Sequence, residues 1–392
     1  MFSLYLVQPC LYFAAAAVLV LAADWMGSAA WRRAGDVHWS ERARLLWPAR
    51  GMSGTHIYVV PAMLLLAQRS LGWPVGGSWL LNGVAALTGV FAGGYWFDQR
   101  VFPTMTARQW RRQMALGWSF RIGTWVLVGA AIAAMPAEPG WGMAAVAAAF
   151  LAPYVALKCG LAVPMLRWMG ALAAPSARME RIVDGVSSRM GVTPGAVWSM
   201  GGVQAVAFAL PTRRELILSD RLMEVCTDEE IAAICAHELG HLQETKVAIA
   251  GRIVGSLALA PTIFLRPAFH AFGSSGVLAI GACALFILQF SKWLSRRLER
   301  RADRSAAGAE SNNGDFARAL EKLHRENQIP AVTSSRGETH PHLYDRMTAA
   351  GVTPDFPRPA AAAALSTVGA IYCGVLGMLI AIELNWGGLL ER

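Results

Sequence analysis

Long blocks of apolar residues recur along this chain and constrain its fold more than any other feature. A helix needs about 20 apolar residues to cross the hydrocarbon core of a bilayer. Hydrophobic residues make up 55% of the 392 residues and charged residues only 16%, whereas soluble domains usually spend about a quarter on charged residues. The composition excludes a disordered chain, a coiled coil, a collagen-like fibre and a small disulfide scaffold. It predicts a protein that lies largely in a membrane.

Seven apolar blocks are long enough to be predicted as membrane spans, and a weaker block at 52–68 is counted as an eighth. Counting the weaker block, which Pro61 interrupts, places the basic loops 24–56 and 98–116 on one face. By the positive-inside rule that face is the cytoplasm, with the N-terminus outside. The predicted spans are 3–23, 52–68, 79–97, 117–135, 141–163, 247–265, 276–293 and 360–382.

Two stretches, 167–246 and 294–358, are polar enough to stand in water. The two-span insert at 247–293 separates them but returns the chain to the same face, so they are predicted to form one cytoplasmic domain. The N-terminal membrane region at 1–166 precedes this domain with about five spans, and a C-terminal span lies within 359–392.

Short strands are predicted at Ala196–Met200, Val203–Leu210 and Glu215–Ser219, which are apolar or alternating and are separated by glycine and proline. The predicted fold class is therefore mainly α: a polytopic α-helical membrane protein whose cytoplasmic core contains a small β-sheet. In two of the spans, Gly89 with Gly93 and Gly251 with Gly255 have the small-xxx-small spacing that favours close helix contact.

A net charge of +9 is typical of nucleic-acid-binding proteins, but basic cytoplasmic loops explain it better in a membrane protein. The expected partners are thus the lipid bilayer and a protein or peptide substrate, with no nucleic acid and the oligomeric state left open. Arg121, Lys158 and Arg252 lie near span ends, where snorkelling accounts for them. Abundant Ala, Gly and Arg favour a GC-rich genome and hence a bacterial inner membrane.

A helix is predicted after Thr227, which forms a capping box with Glu230. It carries the motif H-E-x-x-H, and its histidines His237 and His241 lie on one face, one turn apart. Both can reach a single zinc ion at about 2.0–2.1 Å. Glu238 lies on the neighbouring flank, where its carboxylate can take a proton from a zinc-bound water. Two unrelated surface histidines are the alternative, and chance alone gives this motif rarely.

A catalytic zinc site needs a third protein ligand and one open position. No histidine stands at the spacing of the longer H-E-x-x-H-x-x-G-x-x-H motif, because Glu244 and Val247 occupy those places. Further on, the segment 295–306 contains Glu299 and Asp303, which are four apart and so share a helix face. Glu299 is predicted to bind the metal and Asp303 to hydrogen-bond a ligand histidine. Taken alone, this segment would be interpreted as a solvated helix whose acidic residues balance the charge of its arginines.

Together the two motifs resemble the integral-membrane metallopeptidases of family M48, which include HtpX-like quality-control proteases and CAAX prenyl proteases. Those proteins pair H-E-x-x-H with a later S-R-x-x-E-x-x-A-D-x-x-A, and both patterns occur here. The resemblance implies a gluzincin-type core with one zinc ion per chain. The implied site residues are the zinc ligands His237, His241 and Glu299, the general base Glu238 and the supporting carboxylate Asp303.

The resemblance extends upstream to the segment Ala207-Phe208-Ala209-Leu210, which is similar to the N-A-F-A-L stretch of the family. Val206 stands where the family has asparagine, so no side-chain role is carried over at that position. The implied element is an edge strand in which Ala207, Phe208 and Ala209 hold an extended peptide by main-chain hydrogen bonds.

A downstream segment, 339–347, resembles the family pattern T-H-P-x-x-x-x-R. The resemblance implies that His340 or Arg346 stabilises the oxyanion of the tetrahedral intermediate. A structural hydrogen bond is the alternative for either residue. The resemblance covers the catalytic core well, whereas residues 1–166 match only as spans that precede it.

The sequence thus predicts a membrane-embedded zinc endopeptidase that hydrolyses membrane-associated or hydrophobic proteins, with its active site on the cytoplasmic side. One alternative is a signalling protease resembling the membrane antirepressor sensors, but these need a sizeable extracellular sensor domain and the outer loops here are short. A second alternative is a non-catalytic scaffold or transporter on a protease fold. That class would be expected to have lost a ligand or the base, and all four residues are present.

Overall fold

The computed structural model describes residues 2–70, 79–309, 314–333 and 342–390. Within them helices dominate, with a π-helical turn Leu157–Leu161 after α7 and a 3₁₀ helix Ala260–Phe264 before α13. The helices are α1 Phe2–Gly27, α2 Ala29–Arg33, α3 Trp39–Ser53, α4 His56–Ser70, α5 Trp79–Val101, α6 Ala107–Ala134, α7 Trp141–Ala156, α8 Ala162–Trp168, α9 Ala177–Met190, α10 Asp220–Val225, α11 Asp228–Leu242, α12 Lys246–Ser256, α13 Leu265–Ala309, α14 Asp315–Glu326, α15 Leu343–Ala349 and α16 Thr367–Leu390. The strands are β1 Leu172–Ala173, β2 Ala196–Met200, β3 Ala207–Leu210 and β4 Glu215–Ser219.

Three helical stretches of the described chain are long and apolar enough to cross a membrane: Val7–Gly27, Trp141–Trp168 and Ala260–Ala309. Within α16, the stretch Thr367–Leu379 is also apolar. The expectation of a mainly helical protein with a small sheet and with helices able to span a membrane is confirmed at this level. The count of seven or eight spans stays a prediction.

The predicted span at 247–265 is not one helix. α12 ends at Ser256 after 11 residues, and Pro261, which has no N–H to donate, lies in the first turn of the following 3₁₀ helix. α13 then runs for 45 residues with one non-helical residue, Gly273 at φ 58°. The apolar segment 276–293 therefore continues as helix into the segment that carries Glu299.

Contacts divide the chain into two compact units. The first consists of Met1–Trp110, Asn327–Ser335 and Asp355–Arg392, and the second of Arg111–Glu326 and Arg336–Pro354. The segmentation of the chain at residues 166, 246, 293 and 358 remains a prediction.

In the first unit, α1 packs closely along α5 at two glycines. A Cβ at Gly89 would lie 2.2 Å from the carbonyl oxygen of Phe13, and one at Gly93 would lie 2.8 Å from that of Ala17. The backbones approach this closely only because the α5 residues have no side chain, as the small-xxx-small spacing predicts. The buried core around this contact contains Tyr12, Ala16, Val20, Val60, Ala86 and Val90.

In the second unit, the strands form one sheet in the order β1-β2-β4-β3. β2 and β4 are parallel, whereas β3 is antiparallel to β4 and β1 to β2. Strands β2 and β4 have the predicted bounds. β3 begins at Ala207 rather than Val203, because the glycines Gly201 and Gly202 lead into a bend before it. The two-residue β1 was not predicted, since it is too short to show a pattern.

The sheet separates two apolar layers, because successive side chains of a strand point to opposite faces. On one face, Leu216 and Leu218 of β4 pack in a core with α9, α11 and α14. On the other face, Ile217 packs with Val163 of α8 and Leu172 of β1. α11 is thereby held against the sheet, beside β3.

Candidate metal centre

α11 is fixed at its N-terminus before it reaches the histidines. The Thr227 side chain accepts a hydrogen bond from the Glu230 N–H, and the Glu230 carboxylate accepts one from the Thr227 N–H at 2.8 Å. This confirms the predicted capping box. Residues of α11 from Ile231 to Leu242 are mostly buried, so packing sets the rotation of the helix. His237 and His241 consequently point together into the interior.

α13 approaches α11 at Gly240, the glycine inside the H-E-x-x-H motif. A Cβ there would lie 3.2 Å from the Cβ of Ser305 and 3.3 Å from the Cα of Ala302. Such a contact is tight, so glycine allows the two helices to cross closely. The crossing brings Glu299, one turn N-terminal to Asp303 on α13, within reach of the histidines.

His237, His241 and Glu299 form a group whose ligand atoms all lie within 4.8 Å of one another. Nε2 of His237 lies 3.5 Å from Glu299 Oε2, and Nε2 of His241 lies 3.5 Å from Glu299 Oε1. With metal–ligand distances of about 2.0–2.1 Å, tetrahedral coordination separates ligand atoms by roughly 3.3 Å. All three residues are buried. The three residues together can therefore hold a metal ion.

His237 is held by a carboxylate and an aromatic ring. Its Nδ1 lies 3.1 Å from Asp303 Oδ1, and its ring stacks on Phe316 with centroids 5.1 Å apart. Burial opposes the charged imidazole, but Asp303, Glu299 and the charge of Glu238 outweigh it and raise the pKa of His237 to about 9. In the metal-free site this histidine is protonated at neutral pH, so a metal must displace that proton.

His241 has its own carboxylate, which the sequence interpretation did not assign. Its Nδ1 lies 2.8 Å from Oε1 of Glu244, and the same oxygen accepts a hydrogen bond from Arg252 at 2.8 Å. Arg252 therefore contacts the carboxylate that holds His241, and snorkelling from a span end does not fully account for it. The sequence signal for Glu244 was its position three residues after His241. Nothing in the spacing indicated Arg252.

Glu238 lies against the edge of the sheet. Its Oε2 accepts a hydrogen bond from the backbone N–H of Ala209 at 2.7 Å, and β3 is the last strand on that side of the described sheet. Alternate residues of a strand direct their main-chain groups to opposite sides. The main-chain groups of Ala207 and Ala209 thus point away from β4, whereas the main-chain groups of Phe208 point toward β4.

Most of the residues that the sequence singled out come together here. Arg346, on α15, donates a hydrogen bond to Asp303 Oδ1, and its guanidinium carbon lies 5.1 Å from the centroid of the Phe316 ring. Arg346 therefore contacts the carboxylate beside His237. His340 lies outside the residues that the structure describes.

Residues 173–352 match the model of peptidase family M48. The matched stretch contains α11, the part of α13 that carries Glu299, and the strand beside Glu238. It does not distinguish the HtpX-like proteases from the CAAX prenyl proteases.

Proposed function

Because the chain carries a peptidase family M48 domain and is a metallopeptidase, we propose that it is a membrane-embedded zinc endopeptidase. Its proposed substrates are membrane-associated or hydrophobic proteins, cleaved on the cytoplasmic side of a bacterial inner membrane. The observation that carries the proposal is the convergence of His237, His241 and Glu299 within 4.8 Å, with Glu238 on the same helix.

The donor set favours zinc. Two imidazoles and one carboxylate are the protein ligands of one class of catalytic zinc site, which leaves a fourth position open. When bound, zinc would lower the pKa of a coordinated water toward about 7, and it would also polarise the carbonyl to be cleaved. All three ligands are buried, so little solvent screens their interaction with a bound cation.

Glu238 is the proposed general base. It follows a ligand histidine directly, and its carboxylate is held beside the sheet edge by Ala209 N–H at 2.7 Å. From there it takes the proton of the attacking water and gives it to the leaving amine. The hydrogen bond from the strand fixes the carboxylate where a substrate lying along β3 would place its scissile bond.

Asp303 and Arg346 are proposed to orient His237. A carboxylate at Nδ1 holds the proton on that nitrogen and leaves Nε2 free to bind the metal. Arg346 in turn fixes Asp303. The predicted oxyanion role of Arg346, and that of His340, stays a prediction.

The edge strand is the proposed substrate site. The Ala209 N–H is engaged by Glu238, but the main-chain groups of Ala207 and the carbonyl of Ala209 also point away from β4, so an extended peptide can pair with them. The proposal that substrates come from the bilayer is supported by α13, a single element that is apolar before residue 293 and carries Glu299 after it.

Glu238→Gln tests the proposed function. The variant is expected to bind about one zinc per chain with unchanged affinity, yet to lose cleavage of an unstructured membrane-anchored reporter by roughly 10²-fold or more. Zinc content and cleavage are measured on the same purified full-length protein. Glu229→Gln, an exposed acid in the first turn of the same helix, is the control and should cleave normally. Undiminished proteolysis by Glu238→Gln would refute the mechanism.

The same two measurements separate the two roles of Arg346. If Arg346 orients His237 through Asp303, Arg346→Ala weakens zinc binding. If it contacts the oxyanion, cleavage falls while zinc affinity is kept.

A further inference from the structure

The two ligand histidines are held in the same way. Each imidazole contacts one carboxylate through Nδ1, and each carboxylate accepts a hydrogen bond from one arginine. For His237 these partners are Asp303 and Arg346. For His241 they are Glu244 and Arg252.

Glu244 is placed to decide the tautomer of His241. Its side chain is only 1% exposed, so its carboxylate meets little water that could weaken its interaction with the imidazole. Its Oε1 is already held as an acceptor by Arg252, and at 2.8 Å it pairs with a proton on Nδ1 of His241. The lone pair is then left on Nε2, the nitrogen that faces Glu299 at 3.5 Å.

Arg252 by itself would have the opposite effect. Its NH2 nitrogen lies 3.2 Å from Nδ1 of His241, and a guanidinium can only donate hydrogen bonds. Without Glu244, the arginine would favour a bare Nδ1 and a protonated Nε2, which cannot bind a metal. With Glu244 present, Arg252 donates to the carboxylate at 2.8 Å and fixes its position.

We propose that Glu244 is a positioning residue that sets the metal-binding tautomer of His241, and that Arg252 on α12 acts through it. This inference rests on the proposed zinc site. It assigns a role to the buried acid just after α11 and to a cation in the apolar insert. It also links the helix that begins the insert directly to the metal centre.

The test is zinc affinity, measured by competition with a chromogenic chelator on the detergent-solubilised full-length protein. Glu244→Ala is expected to weaken zinc binding by about 10- to 100-fold, as loss of a partner of a ligand histidine typically does. Glu244→Gln should lose less, because its amide carbonyl can still accept the Nδ1 proton. The absorption spectrum of the Co²⁺-substituted protein should also change, more in Glu244→Ala than in Glu244→Gln.

The double variant Glu244→Ala/Arg252→Met separates a tautomer effect from general loss of structure. Removing the arginine should recover part of the zinc affinity that Glu244→Ala loses, because the group that favours the wrong tautomer is gone. A merely structural role predicts the reverse, since a second lost contact would weaken the site further. Glu229→Ala is the control, expected to stay within about twofold of the parent protein.

The outcomes divide clearly. Zinc binding by Glu244→Ala within about twofold of the parent, or a double variant that binds more weakly than the single one, would overturn the inference. If Glu244→Ala fails to fold, Glu244→Gln and the double variant supply the same comparison. A parent protein that binds no zinc would instead remove the proposed function, whereas normal binding by the parent with unaffected Glu244 variants removes only this inference.

Discussion

The pKa of His237 reflects the carboxylates that surround the candidate metal site. Its carboxylate neighbours raise its pKa to about 9 against an ordinary value of 6.5. The imidazolium that these carboxylates stabilise stands in for the positive charge of a metal. A site built to bind a cation therefore binds a proton strongly when the metal is absent.

The metal-free protein is consequently expected to lose stability in alkali. Because the folded-state pKa of His237 is raised, its contribution to stability is fully present below about pH 6.5 and is lost as the pH rises through about 9. The apparent melting temperature of chelator-treated protein should fall across this window. The zinc-loaded protein should show no such fall, because the metal replaces the proton.

Asp303→Asn provides the control for this prediction. It removes a carboxylate that raises the pKa of His237, so the fall in melting temperature should become smaller. A melting temperature of the metal-free parent that rises between pH 6.5 and 9 would contradict the assigned direction.

At the scale of elements, the site depends on a helix crossing and on the edge strand β3. Gly240 lets α13 cross α11 with Ala302 and Ser305 in close contact, which places the carboxylate of Glu299 between two imidazoles. On the other side of α11, the hydrogen bond from Ala209 places Glu238 at the edge of β3.

The edge strand can be tested with a proline. Ala207→Pro removes one outward N–H without breaking the β3–β4 ladder, because proline is tolerated on an edge strand when its nitrogen faces solvent. It is expected to raise KM for an unstructured protein substrate several-fold and to leave zinc affinity unchanged. Ala207→Val, which keeps the N–H, is the matched control. Equal KM values in the two variants would count against pairing of substrate with β3.

For the whole molecule, the prediction to test is that the site lies on the cytoplasmic side of the membrane. In intact cells of a variant without the native cysteines, Arg189→Cys on the exposed end of α9 should be shielded from an impermeant maleimide. Glu138→Cys, exposed in the predicted outer turn, should react. Reaction of Arg189→Cys before permeabilisation would place the site outside and invert the predicted topology.

Much of the fold and site is local and could be predicted from the sequence. The capping box and the spacing of His237 and His241 depend on helical geometry within a few turns. β2 and β4 are short apolar runs, which can be recognised from the residues of each run alone. The break after Ser256 was missed because hydropathy reports a continuous apolar stretch and does not register where Pro261 interrupts the helix.

Sequence by itself determined the chemistry of this protein, because motif spacing on a helix fixes which side chains share a face. It named the candidate metal ligands and the acid beside the second histidine, yet it gave that acid no role. Only the tertiary structure decided which distant groups complete the site. Arg252 reaches Glu244 from α12, the helix that follows α11, and Arg346 reaches Asp303 from α15. Such contacts arise from packing between elements, which residue spacing along the chain does not encode.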